Sequence, residues 1–243
     1  MPSGRAVMNR TAPKLPVVTC ALVLLCAVIF LTGPVSGFLP VYGTGSALHR
    51  AQVSYLNDWG VVPRALWSGA LRPLITPLTA LFLHGSWLHL LGNLLFLHVF
   101  GGPVEMRMGR LRFAVCYLTV GYVAMLCYAA AHHQSAETLV GASGAVSGVL
   151  GAFLYLHPTA RVTSLFPFLY FLPLRFPAWL VLVFWLAVQW VAARGDTDGP
   201  GVAYLAHVVG FTLGFLYAWA RFRRFRTATV GTPAPATQGE STP

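Results

Sequence analysis

Six stretches of this 243-residue chain stay apolar for long enough to cross a lipid bilayer, and nothing else in the sequence narrows the fold as much. A helix crosses the hydrocarbon core in roughly 17 to 25 residues. Lipid offers the backbone no hydrogen bonds, so each crossing has to be a helix or part of a closed barrel. The stretches fall at about 16–35, 82–101, 111–131, 140–157, 177–193 and 201–220, and they predict an all-α membrane protein, a six-transmembrane-helix bundle. The apolar segment from Ser164 to Leu174 is short and interrupted by Pro167 and Pro173, which places it at the interface. The first stretch has a basic front like that of a signal peptide. It lacks a clear small-residue cleavage site and five further spans follow it, so it is read as retained. Residues 1–14 then form a cytoplasmic tail, 15–226 one six-span domain, and 227–243 a Thr-, Pro-, Ala- and Gly-rich tail expected to be disordered.

Composition agrees with a membrane setting: 56% of residues are hydrophobic and 9% charged, against about 25% charged in globular chains. A net charge of +10 would suit a nucleic-acid partner only if a soluble domain gathered it on one face, and no such domain is visible. The basic residues lie in short runs between spans. With the N-terminus inside, Arg5, Arg10, Lys14, Arg107, Arg110, Arg112, Arg161, Arg175, Arg221, Arg223, Arg224 and Arg226 are cytoplasmic. Only Arg50, Arg64, Arg72 and Arg194 are then outside, an asymmetry that predicts both termini inside. The segment from Ser36 to Leu81 becomes an extracytoplasmic loop, with Trp59, Val61, Val62, Leu66, Trp67 and Leu71 suited to the headgroup level. Cys20, Cys26, Cys116 and Cys127 all sit in apolar stretches, which argues against a disulfide framework.

Polar groups inside spans are costly and mark candidate functional positions. The second span carries His89 and Asn93, four apart and on one helix face. The fourth opens Gly141-Ala142-Ser143-Gly144-Ala145-Val146-Ser147-Gly148, a run of small residues that lets another helix come close. The sixth has His207, Gly210 and Gly214 at three- and four-residue steps. Spans two, four and six run in the same direction, so their first turns share a leaflet and the four polar side chains lie about 10 Å deep. A hydroxyl, a base and amide donors at one depth are the parts of an acyl-transfer site. Ser143 is a better nucleophile than Ser147, because the first turn of a helix has free N–H groups and the positive end of the dipole.

These motifs resemble those of the rhomboid family of intramembrane serine proteases. Gly141-Ala142-Ser143-Gly144 is similar to its GxSG motif, Ala206 to Gly214 to its AHxxGxxxG motif, and His89 to Asn93 to its HxxxN motif. Glu105-Met106-Arg107, followed by Gly109, resembles the ExR segment after the second span, and Trp59-Gly60-Val61-Val62-Pro63 a segment of the first loop. Leu71-Arg72 stands where many relatives have Trp-Arg. The resemblance implies Ser143 as nucleophile and His207 as general base, a dyad without a carboxylate. It implies His89, Asn93 and the Ser143 N–H at the oxyanion, and Gly144 keeping the approach open. Substrates would be transmembrane segments of other proteins, the loop 195–201 a cap, span five a lateral gate, and the location a bacterial plasma membrane.

Other readings remain open at this point. A catalytically silent relative would bind transmembrane helices without cutting them. A transporter would show an internal repeat or charges within its spans, and neither is present. His84, His89 and His207 form no HExxH pattern and have no carboxylate beside them in the spans, so no metal and no cofactor are expected. Glu105 and Arg107 read as a structural pair at the cytoplasmic end.

Overall fold

The computed structural model describes residues 15–166, 172–195 and 203–227. The two expected tails fall almost wholly outside that range, as does the expected cap loop beyond Gly195. Apart from single turns, the helices among the described residues are α1 (Val17–Thr32), α2 (Gly45–Trp59), α3 (Trp87–Met108), α4 (Arg110–Ala131), α5 (Ser143–Leu156), α6 (Ala178–Gly195) and α7 (Tyr204–Thr227). A hairpin of β1 (Arg161–Phe166) and β2 (Leu172–Pro177) joins α5 to α6.

Among the described residues, four helices are long and apolar enough to cross a membrane: α3, α4, α6 and, over Tyr204–Arg223, α7. The other two apolar helices are shorter, α1 with 16 residues and α5 with 14. At 1.5 Å per residue α5 is about 21 Å long, less than the roughly 30 Å of a hydrocarbon core. Its environment accounts for that: Gly144 to Phe153 are buried without a break, so protein rather than lipid surrounds it. Its start at Ser143, later than the expected 140, follows from Gly141, whose φ of +125° no helix accommodates. α3 likewise begins at Trp87 instead of 82, because Ser86 caps it by accepting the His89 N–H at 3.1 Å. A π-helical turn at Leu97–Gly101 interrupts α3 where Gly101 meets α1; a Cβ there would lie 2.9 Å from Thr19 Cγ2.

Glycines set how closely α5 and α7 cross. A Cβ on Gly210 would run into the Gly144 carbonyl oxygen, one on Gly214 into that of Gly148, and one on Gly151 into that of Phe211. On its other side α5 meets α4, where a Cβ on Gly148 would lie 2.6 Å from Val120 Cγ1. Backbone therefore packs on backbone along the two helices that carry Ser143 and His207. By contrast α6 buries only Ala178 and Leu182, both near its start, and exposes Phe184, Val188 and Val191.

The first loop is largely helical and is stitched to the segment that feeds α5. Val61 and Leu139 exchange hydrogen bonds at 2.9 and 2.7 Å, and Arg64 N–H donates to the Ser135 carbonyl at 3.1 Å. Gly141 N–H donates to the Ala80 carbonyl at 2.9 Å, and Thr138 Oγ1 hydrogen-bonds Asn57 Oδ1. Val61 and Leu66 are buried in the core and are not available to headgroups, whereas Trp59, Trp67 and Leu71 remain exposed. Arg72 lies 3.4 Å from Asp58 at the surface.

One local expectation gains detail and another is corrected. Residues 164–166 and 172–174, the described parts of the expected interfacial segment, belong to the antiparallel pair β1–β2, with Val162 opposite Phe176 and Thr163 opposite Arg175. Val162, Leu174 and Phe176 are half-buried while Arg161, Thr163, Pro173 and Arg175 are exposed, a period-two pattern that an average over hydropathy conceals. Glu105 does not pair with Arg107. Its carboxylate accepts from Val18 N–H at 3.0 Å, Thr19 N–H at 2.8 Å and Thr19 Oγ1 at 2.8 Å, and so caps α1. The first N–H groups of a helix have no partners of their own, and a buried anion there gains from both the donors and the dipole.

Candidate functional site

The starts of α3, α5 and α7, together with α6, line an open cavity of about 740 Å³. Ser143, His207, His89 and Asn93 all line it, so the four side chains singled out from the sequence meet in one place. Gly144 does not line it; its bare face is turned toward α4 and α7, where an added Cβ would lie 3.1 Å from Ala124 Cβ and 3.6 Å from the Ala206 carbonyl oxygen.

Ser143 is the first residue of α5, and Ala142 before it provides no side-chain cap. The first intrahelical bond runs from Val146 N–H to the Ala142 carbonyl at 2.9 Å, so the N–H groups of Ser143, Gly144 and Ala145 precede the ladder. Ser147 is placed differently: it is buried, and its hydroxyl donates to the Ser143 carbonyl at 2.7 Å. A hydroxyl engaged with its own helix is not free to attack.

His207 is 7% exposed and held from several sides. Its ring stacks on Trp185 at 6.0 Å and meets Tyr204 edge-on at 6.3 Å. Nδ1 is 2.7 Å from Gln189 Oε1 on α6. Nε2 is buried and has no hydrogen-bond partner among the described residues. No hydrogen bond joins it to the Ser143 hydroxyl, and such contacts commonly tighten only when substrate is bound.

His89 lies against Gly141, where a Cβ would come within 2.6 Å of its Nε2. Only glycine, at that positive φ, lets the ring approach the chain entering Ser143. Asn93 is buried and donates one amide hydrogen to the His89 carbonyl at 2.8 Å, which leaves its second for the cavity. His84, fully buried, packs edge-on against His89 at 5.2 Å.

Gln189 is the residue that sequence reasoning passed over. It is an amide within a predicted span, and the rule that flagged Asn93 applies equally to it. Trp185, one turn earlier on the same face, was hidden among the other aromatic residues of α6.

Long apolar helices around a chamber of Ser, His and Asn side chains define an integral membrane protein with a polar site buried in its bundle. Comparison with known proteins gives the family. The Rhomboid domain profile matches residues 72–224, and the chain belongs to the rhomboid family. It is 33% identical over 142 residues to Rhomboid protein 1, mitochondrial, of Saccharomyces cerevisiae, covering 57% of this chain and 39% of that one. To RHOMBOID-like protein 1 of Arabidopsis thaliana it is 33% identical over 138 residues, covering 57% and 32%. To Rhomboid-like protein 11, chloroplastic, of the same plant it is 42% identical over 71 residues, covering 29% and 25%. The chain thus spans well under half the length of each of these relatives.

Proposed function

We propose that this protein is an intramembrane serine endopeptidase that cuts transmembrane segments of other membrane proteins with a Ser143–His207 dyad. The observation that carries the reading is the buried, unpartnered Nε2 of His207 on the same cavity as a serine at an uncapped helix start. An imidazole nitrogen buried without a protein partner is costly unless something arrives to use it.

In this reading the Ser143 oxygen attacks the scissile carbonyl carbon and its proton passes to His207 Nε2. The negative oxygen that forms is met by the Ser143 N–H and by His89 and Asn93. His207 gives the proton to the leaving amine as the C–N bond breaks, and water then releases the acyl group from Ser143 by the reverse sequence. Gly144 serves by admitting α7, which sets the distance between serine and histidine. The thin packing of α6 suits a lateral gate through which a substrate helix enters.

The architecture that goes with this function is a six-span domain over 15–226. In it α1 and the enclosed α5 serve as the first and fourth spans beside the four longer helices. The charge asymmetry is what supports both termini on the cytoplasmic side of the membrane.

A fluorescent fluorophosphonate applied to purified protein in detergent tests the dyad without a known substrate. Wild type is expected to label, and Ser143→Ala and His207→Ala are each expected not to, while remaining folded. Labelling that persists in Ser143→Ala removes the nucleophile. A folded wild type that never labels favours the silent helix-binding alternative.

A further inference from the structure

His207 has to present a lone pair, not a proton, to the serine hydroxyl. A neutral imidazole carries one proton, on either nitrogen, and the hydrogen bond made by the far nitrogen decides which. In soluble serine proteases a carboxylate makes that bond. Among the described residues no Asp or Glu approaches His207. Among the described residues the group at the far nitrogen of His207 is the side-chain amide of Gln189.

We infer that Gln189 is the positioning residue of the dyad, acting through His207. Its Oε1 lies 2.7 Å from Nδ1. A carbonyl oxygen only accepts, so Nδ1 must hold the proton and Nε2 is left bare. Nε2 is the nitrogen found buried and without a partner. Gln189 and Trp185 are four residues apart on α6 and both line the cavity, so one helix face supplies the acceptor and the ring on which the imidazole stacks. The neutral amide avoids burying an ion pair in a protein interior embedded in lipid, a substitution with a physical motive. Because α6 also has little else holding it to the bundle, the acceptor sits on the most weakly packed of the spanning helices.

This inference rests on the proposed protease reading, and two measurements on the purified full chain separate the two. The first is fluorophosphonate labelling resolved into probe affinity and maximal rate. Gln189→Leu is expected to lower the maximal rate by about 10- to 100-fold, part of the roughly 10²- to 10⁴-fold that a general base contributes, with probe affinity unchanged. Gln189→Glu, which keeps an acceptor at the same reach, is expected to recover most of the loss. The second measurement is the ¹⁵N spectrum of histidine-labelled protein, assigned by difference from His207→Ala. It is expected to show the His207 proton on Nδ1 in wild type and a mixture of tautomers in Gln189→Leu. A labelled wild type with a Leu variant reacting at the same rate overturns the assignment of Gln189 alone. So does a Glu variant as slow as the Leu variant, or a wild-type proton on Nε2. A folded wild type that does not label overturns the protease reading, and any catalytic part for Gln189 with it.

Discussion

Gly210→Ala is the substitution whose effect follows most directly from the structure. The added Cβ would lie 3.0 Å from the Gly144 carbonyl carbon and 3.4 Å from its Cα, and closer still to the carbonyl oxygen. The carbonyl oxygen is the limiting contact, and moving it out to ordinary van der Waals distance requires α5 and α7 to part by about 1 Å or more. Neither side can yield by changing rotamer, because the atoms in the way are backbone. His207 is one turn before Gly210, and Ser143 is the neighbour of Gly144, so the displacement reaches the dyad almost undiminished. A misplacement of about 1 Å can cost 10²-fold in rate, and overpacking of this kind costs about 1–3 kcal/mol in stability. The assay is fluorophosphonate labelling well below the melting temperature, alongside thermal unfolding. Gly210→Ala labelling at the wild-type rate, with an unchanged Tm, would refute the claim that backbone contact sets the serine–histidine distance.

Two further outcomes are expected. Asn93→Ala should lower turnover by about 10²- to 10³-fold, the usual contribution of one oxyanion donor, while leaving the fold intact; unchanged turnover removes Asn93 from the site. Glu105→Ala strands the donors of Val18 and Thr19 at the start of α1 and should cost about 2–4 kcal/mol, read as a lower Tm with labelling of the folded protein preserved. A Glu105→Ala protein as stable as wild type would show that water caps α1 equally well.

The apolar runs and the intramembrane polar residues made much of this arrangement legible before any coordinates. His89, Asn93, Ser143 and His207 stood out because lipid makes polar groups expensive, and one topological step placed them at a common depth. Helix ends were less legible, since they depend on particular residues: Ser86 delays α3, and the φ of Gly141 delays α5. The strand pair β1–β2 was obscured because half-buried Val162, Leu174 and Phe176 alternate with exposed Arg161, Thr163, Pro173 and Arg175, and proline drew attention away from the alternation. Glu105 looked like the partner of Arg107 because the two are close in sequence, whereas its real partners are residues 18 and 19, brought near only by tertiary folding. Gln189 shares that difficulty. Its importance lies in an atom of another helix, and no spacing within α6 announces it.

The bonds between the first loop and the strand-like stretch before α5 have a consequence for the life of the chain. Val61 closes on Leu139, Arg64 on Ser135, and Ala80 on Gly141, each across a long reach of sequence with two membrane helices in between. Contacts so distant along a chain form late, after the loops they close have lost their freedom. The backbone that presents Ser143 is therefore among the last parts to take shape. A copy still emerging into the membrane, or one whose first loop has come undone, holds every residue of the site and lacks their alignment. Under the proposed protease reading, such a molecule is chemically mute among the very helices a finished neighbour would cut.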